Sequence, residues 1–193
     1  MMRSVGFYDW AWNPVEGCLH GCDYCYASKD FHEKGKPFTP KFYEERLIEP
    51  SLVGPAKIFV THYTDLMGDF IPVEWVQEII KECKKLTKHE FIFITKNPVN
   101  YFKYDWPHNC ILGVTIESPE QWNRAHIMKG LPYRQMASIE PLLGSFRGYD
   151  FSQFELVVIG ALMYVGKKPN ADWINSIKHD NIFYKPNVRG YLR

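Results

Sequence analysis

Five short stretches of this chain are almost unbroken runs of apolar residues: AKIFVT (56–61), EFIFIT (90–95), ILGVTI (111–116), MASIE (136–140) and ELVVIG (155–160). A strand with one solvated face alternates between apolar and polar residues. A strand buried on both faces, as in a parallel sheet covered by helices, does not. An earlier strand is expected within SVGFYDW (4–10) and a closing one in NIFY (181–184). Helical patterns separate the runs. The clearest is 72–88, where Pro72 suits a first helical position and Val73, Val76, Ile80, Cys83 and Leu86 form one stripe. Shorter helices are expected over 41–48, 119–128 and 171–178. Strand–helix alternation implies right-handed crossovers and a parallel sheet. Six strands in 193 residues fit one domain built as an open or partial barrel, not a closed eight-stranded one. In such folds chemistry gathers at the C-terminal strand ends.

The stretch following the first strand, WNPVEGCLHGCDYCYA, places Cys18, Cys22 and Cys25 within eight positions. Clustered cysteines of a reducing compartment bind metal or do redox chemistry more often than they form disulfides. Two metal sites are compatible with the triplet. A structural zinc site would recruit His20 or His32 as a fourth ligand, although zinc motifs favour well-separated pairs. A ferredoxin-like run would add a fourth cysteine nearby. The next is Cys83, on the helical stripe. The other option is a four-iron cluster with three irons held by cysteine and the fourth open, the arrangement that lets a substrate or cofactor bind metal directly.

Cys-x3-Cys-x2-Cys with an aromatic residue, Tyr24, before the last cysteine resembles the signature of the radical S-adenosylmethionine (SAM) superfamily. That resemblance implies a [4Fe–4S] cluster on Cys18, Cys22 and Cys25, with SAM chelating the unique iron. Reductive cleavage of SAM would give a 5′-deoxyadenosyl radical that abstracts hydrogen from a substrate. It also implies an α/β fold, a partial (β/α)6 TIM-like barrel with mostly parallel strands, and a small flavodoxin- or ferredoxin-like electron donor. A closer resemblance spans most of the chain: Trp12-Asn13-Pro14, Cys25-Tyr26-Ala27, Asp65-Leu66-Met67-Gly68-Asp69, Phe93-Ile94-Thr95-Lys96-Asn97-Pro98, Leu112-Gly113-Val114-Thr115 and Ser138-Ile139-Glu140-Pro141. Together these are similar to a phage-associated radical SAM-like family of poorly defined function. That family has a Gly-Gly-Glu-Ser-Gly-like stretch after its last core strand, where this chain reads Gly160-Ala161-Leu162-Met163-Tyr164. An acid is missing from the rim there.

Asp65, Lys96, Glu117, Ser118 and Glu140 follow successive strands, where side chains face a cofactor on the rim. SAM offers an ammonium, a carboxylate, a sulfonium and a ribose diol. The resemblance implies that groups like Asp65 meet its amino group, and groups like Glu117 and Ser118 its ribose or carboxylate. Lys96 or Arg124 suits the carboxylate, and Tyr24 the adenine. Asp65 and Ser118 also sit where helix caps are common. Trp10, Trp12 and Tyr26 are expected to form an apolar shell around the cluster. Cys83 and Cys110 read as buried small hydrophobes, and His62 as a substrate contact or a structural histidine.

The net charge of +1 gives no global polybasic signal for nucleic acid. The basic tail (about 179–193), with Lys185, Arg189 and Arg193 beside Lys178, is either solvated or, with Tyr184 and Tyr191, a phosphate-tracking surface. No apolar run approaches a membrane span, and the N-terminus has no signal-peptide pattern. The expected location is the cytoplasm, the host's if the protein is phage-encoded. The resemblance to a phage-associated family implies a modified nucleobase, in DNA or as a nucleotide, as the expected substrate. A small metabolite or peptide, or a non-catalytic Cys3His zinc module, are the alternatives.

Overall fold

The computed structural model describes residues 1–3, 6–162 and 170–192. Ser4 and Val5 of the expected first strand, Met163 and Tyr164 of the divergent stretch, and Arg193 of the tail lie outside the described residues.

Among the described residues, eight strands form one sheet. In chain order they are β1 (Met2–Arg3), β2 (Trp10–Trp12), β5 (Lys57–Val60), β6 (Glu90–Thr95), β7 (Cys110–Thr115), β8 (Arg134–Ile139), β9 (Leu156–Ile159) and β10 (Ile182–Tyr184). Sequence order is spatial order. β1 pairs antiparallel with β2, and the seven strands from β2 to β10 run parallel. This is the expected partial barrel, with the closing strand present. A small hairpin, β3 (Val15–Glu16) with β4 (Lys41–Phe42), stands apart. The helices are α1 (Tyr26–Glu33), α2 (Val73–Lys85), α3 (Asn123–Met128), α4 (Ala171–Ser176) and α5 (Pro186–Arg189). No helix among the described residues is long and apolar enough to cross a membrane.

The apolar runs are strands because both sheet faces are covered. All six residues of β7 are buried. In β6, Phe91 and Phe93 belong to the main core, while Ile92 belongs to a second cluster with Ile111, Met136 and Val158. That second cluster is the barrel interior, since neighbours in a strand point to opposite faces. Phe59, Ile92 and Ile111 are in register across three strands. Phe7 and Tyr8 pack on this cluster. Phe7 lies 6.4 Å from the Phe59 ring and 5.7 Å from that of Phe183, so its ring spans from β5 to β10. On the outer face, α2 buries Val76, Ile79, Ile80 and Cys83, each large apolar side chain contributing roughly 1.5–3 kcal/mol.

Two local expectations fail. Residues 41–48 form no helix: Lys41 and Phe42 pair with Val15 and Glu16, and Glu44–Arg46 make a single 3₁₀ turn. Here tertiary pairing overrides local pattern, because the Arg46 guanidinium must reach Glu16 (2.7 Å) and the carbonyl of Asn13 (2.9 Å). The first parallel strand occupies Trp10–Trp12, later than 4–10, since Phe7 and Tyr8 are drawn into the barrel interior.

Candidate active site

The WNP stretch anchors the cysteine loop to the sheet. Trp12 is fully buried, and its indole N–H donates to the Arg46 carbonyl at 2.8 Å. Asn13 Oδ1 accepts the backbone N–H of His62 at 2.7 Å, tying the end of β2 to the end of β5. Gly17 has φ +93°, and a Cβ there would stand 2.1 Å from the Thr39 carbonyl oxygen. Only glycine fits that approach. The Thr64 hydroxyl donates to the Gly17 carbonyl, and the Cys18 N–H donates to Phe38 at 3.0 Å. Cys25 caps α1, its sulfur accepting from the Ser28 N–H at 3.4 Å.

The thiols of Cys18, Cys22 and Cys25 are free and half-buried. All three line a cavity of about 650 Å³ at the C-terminal ends of the parallel strands. Burial pushes the Cys18 and Cys22 thiols up, so each holds its proton until a bound cation displaces it. Among the described residues, no three His, Cys, Asp or Glu side chains converge on one ion-sized point. A polynuclear cluster gives each cysteine its own iron. The soft donor set fits iron–sulfur chemistry. His32 lies in the last turn of α1, away from the cavity lining. His20 lines the cavity, with Nε2 held by Asp65 at 2.8 Å.

The expected rim residues separate into two groups. Tyr24, Asp65, Lys96 and Glu140 line the cavity with the cysteines. Glu117, Ser118 and Arg124 do not. Glu117, 5% exposed, lies behind the lining and collects three donors: the Tyr24 hydroxyl, Lys96 Nζ at 2.8 Å and the Arg124 guanidinium at 2.7 Å. Burial raises its carboxyl, but Lys96, Tyr24 and Arg124 hold it below the usual glutamate range. Arg124 also donates to the Thr115 carbonyl at 2.8 Å. The Ser118 hydroxyl engages Gln121 at 2.6 Å and also Glu120. Asp65 is buried and accepts from His20 Nε2 (2.8 Å), the Lys96 N–H (2.8 Å) and the Met67 N–H (3.0 Å). Burial raises its carboxyl, but these donors, with Thr95, bring it below the usual aspartate value.

Several residues of the cavity lacked an assigned place in the motif, among them Lys185, Phe7 and Tyr8. Lys185, from the basic tail, directly follows β10, lines the cavity and pairs with Glu140. The strand-end rule applied to NIFY would have found it. Phe7 and Tyr8 fall in the expected first strand (4–10), a reading that gives no sign of side chains filling the barrel. His62 lines the cavity too, with the Tyr26 hydroxyl 2.6 Å from its Nε2. Burial, then Lys185, pushes its imidazole down to about 4, so it is neutral near pH 7. Of the expected apolar shell, Trp12 is core, Trp10 packs against the core, and Tyr26 lines the cavity.

A family model described as a protein of unknown function, DUF5131, matches residues 3–183. The chain belongs to the DUF5131 family. No curated protein matches it. Among solved structures, this DUF5131 chain is similar to a double mutant of spore photoproduct lyase with bound AdoMet and dinucleoside spore photoproduct. The TM-score is 0.62 at 14% identity, covering 81% of this chain and 57% of that one. A single mutant of the same lyase gives 0.57 at 14% identity, covering 79% and 55%. The lyase complexed with dinucleoside spore photoproduct gives 0.53 at 14% identity, covering 77% and 54%. At this identity the likeness concerns the fold, a curled half-barrel of the radical SAM type, and the chain spans little more than half the length of these neighbours. Nothing in the matches bears on a phage association.

Proposed function

We propose that the chain is a radical SAM enzyme acting on a nucleobase, within a nucleotide or DNA. The observation that carries this is the convergence of three free, half-buried thiols on a rim cavity of about 650 Å³. The AdoMet bound by a protein of the same fold supports it. Cys18, Cys22 and Cys25 would hold a [4Fe–4S] cluster, which when bound supplies the electron for reductive cleavage of AdoMet. Tyr24, Asp65 and Lys96, which line the cavity, would receive AdoMet. Asp65 fixes the loop through His20, and its remaining lone pairs suit the AdoMet ammonium. Lys96 offers spare protons to a carboxylate while Glu117 holds it in place. Glu117 and Arg124 act from behind, by orienting Tyr24 and Lys96, and Ser118 stays outside the site. The apolar wall excludes water from the reacting centre. The nucleobase reading draws on the aromatic side chains of the cavity and on the dinucleoside bound by the neighbouring lyase. A flavodoxin- or ferredoxin-like protein would deliver the electron.

Anaerobically purified protein should be brown and contain iron and sulfide. With reductant and AdoMet it should release 5′-deoxyadenosine, and Cys22→Ala should abolish the release. Colourless protein holding one zinc per chain would overturn the proposal.

A further inference from the structure

Beyond the cysteines, the cavity continues into a compartment of different chemistry. Phe7, Tyr8 and Phe59 supply its rings, with centroids 5.0 Å (Phe7–Tyr8) and 5.3 Å (Tyr8–Phe59) apart. His62 borders them, its ring centroid 5.7 Å from that of Phe59. Into this apolar setting two charged side chains reach together. Glu140, just past the end of β8, pairs with Lys185, just past the end of β10, so the pair bridges the intervening β9. Room for it exists because position 160, just past the end of β9, has no side chain: a Cβ there would lie 2.6 Å from Glu140 Oε1. Lys185 Nζ is 6.0 Å from the Phe7 ring centroid. Asn187 holds the adjacent wall by bonding the Ala161 backbone both ways, at 3.2 and 3.1 Å. Glu140 and Lys185 keep 26% and 28% of their side-chain surface, so the pair is open to the cavity.

A paired carboxylate and ammonium carry no net charge, yet present acceptor lone pairs beside donor protons. An anionic ligand would have to displace Glu140, and a cationic one Lys185, leaving a charge unpaired in an apolar chamber. A neutral planar ring with a donor next to an acceptor satisfies both partners without breaking the pair, and its faces stack on the aromatic side chains. We propose that Glu140 and Lys185 form a recognition site for the hydrogen-bonding edge of a nucleobase, Glu140 accepting the ring N–H and Lys185 donating to the adjacent carbonyl. This rests on the nucleobase reading above and names the residues that would select the base.

The test is calorimetric binding of thymidine and N3-methylthymidine to the anaerobically reconstituted protein with AdoMet. Thymidine should bind roughly ten- to a hundredfold more tightly, the worth of a hydrogen bond to a charged group. Lys185→Met and Glu140→Gln should each weaken thymidine binding by that order and erase the preference between the two ligands. Gly160→Ala should do the same without altering any charge. A preference that persists in the variants reflects the bulk of the methyl group and overturns the site. Equal affinity of the wild type for both nucleosides overturns the site alone. If 5′-deoxyadenosine is released but neither nucleoside binds, the nucleobase reading falls and takes the site with it.

Discussion

Replacing Asp65 with asparagine isolates the charge that fastens the cysteine loop to the barrel. Oδ2 of Asp65 takes donors from His20 and the Lys96 backbone, and Oδ1 takes the Met67 N–H. An asparagine has one carbonyl oxygen. In its better orientation it keeps the two bonds at Oδ2 and turns an amide N–H toward that of Met67. One buried donor is then orphaned and the other two bonds lose charge assistance. Hydrogen bonds to charged groups contribute about 1.5–3 kcal/mol each, and an orphaned donor costs about 1–3 kcal/mol. We therefore expect a loss of about 3 kcal/mol, which lowers Tm by roughly 6–12 °C in a domain of this size. Scanning calorimetry of the metal-free protein at pH 7 measures it. The carboxyl has a lowered value in the fold, so its contribution is complete above the unfolded aspartate value of about 3.9. It is lost as pH falls through the folded value beneath that. The gap between wild type and Asp65→Asn should therefore close in strong acid. A variant within about 2 °C of wild type at pH 7, on the same size scaling, would show that the loop is anchored elsewhere.

Glu117→Gln strands Lys96 and Arg124 without their common carboxylate and should cost about 3 kcal/mol by urea denaturation, with Tyr24 losing its acceptor. Gly17→Ala forces a methyl to within 2.1 Å of the Thr39 carbonyl, so the loop must move, and iron incorporation on reconstitution should fall severalfold while far-ultraviolet circular dichroism is kept. The His62 ring should show no protonation by NMR until the pH approaches about 4. Because its folded value is depressed, His62 favours folding fully above the unfolded value of about 6.5, and that contribution shrinks as pH falls from there toward 4. A midpoint near 6.5 in the folded protein would place the ring in water.

The barrel was legible because burial on both faces leaves a mark in the residues themselves: Phe91 and Ile92 point to opposite cores, and both must be apolar. Strand ends follow from strands, so Asp65, Lys96 and Glu140 could be placed on the rim. The direction of a rim side chain could not. Lys96 is the first residue after β6 and Glu117 the second after β7, and one lines the cavity while the other lies behind it. What separates them is the presence of Lys96, Arg124 and Tyr24 on Glu117's side, contacts between residues up to 93 positions apart in the chain. Residues 41–48 misled for a related reason, since the pairing that holds Lys41 and Phe42 comes from Val15 and Glu16, far outside any helical window.

The Gly160-Ala161-Leu162 departure acquires a physical meaning in the fold. Judged by the motif alone, position 162 has exchanged an acid for leucine, and the rim is poorer by one carboxylate. Leu162 lines the cavity together with Glu140 and Lys185. Glu140 leans over the bare Gly160 to reach Lys185, so the wall already holds one carboxylate and one ammonium. A second acid at 162 would leave one negative charge without a partner on that wall, where the surrounding rings screen charge poorly. Leucine keeps the compartment neutral, and neutrality is what allows an uncharged ring to bind there without displacing either ion. The substitution and the ion pair are then two parts of one arrangement: Leu162→Glu should draw Lys185 away from Glu140 and weaken thymidine binding as much as Lys185→Met does.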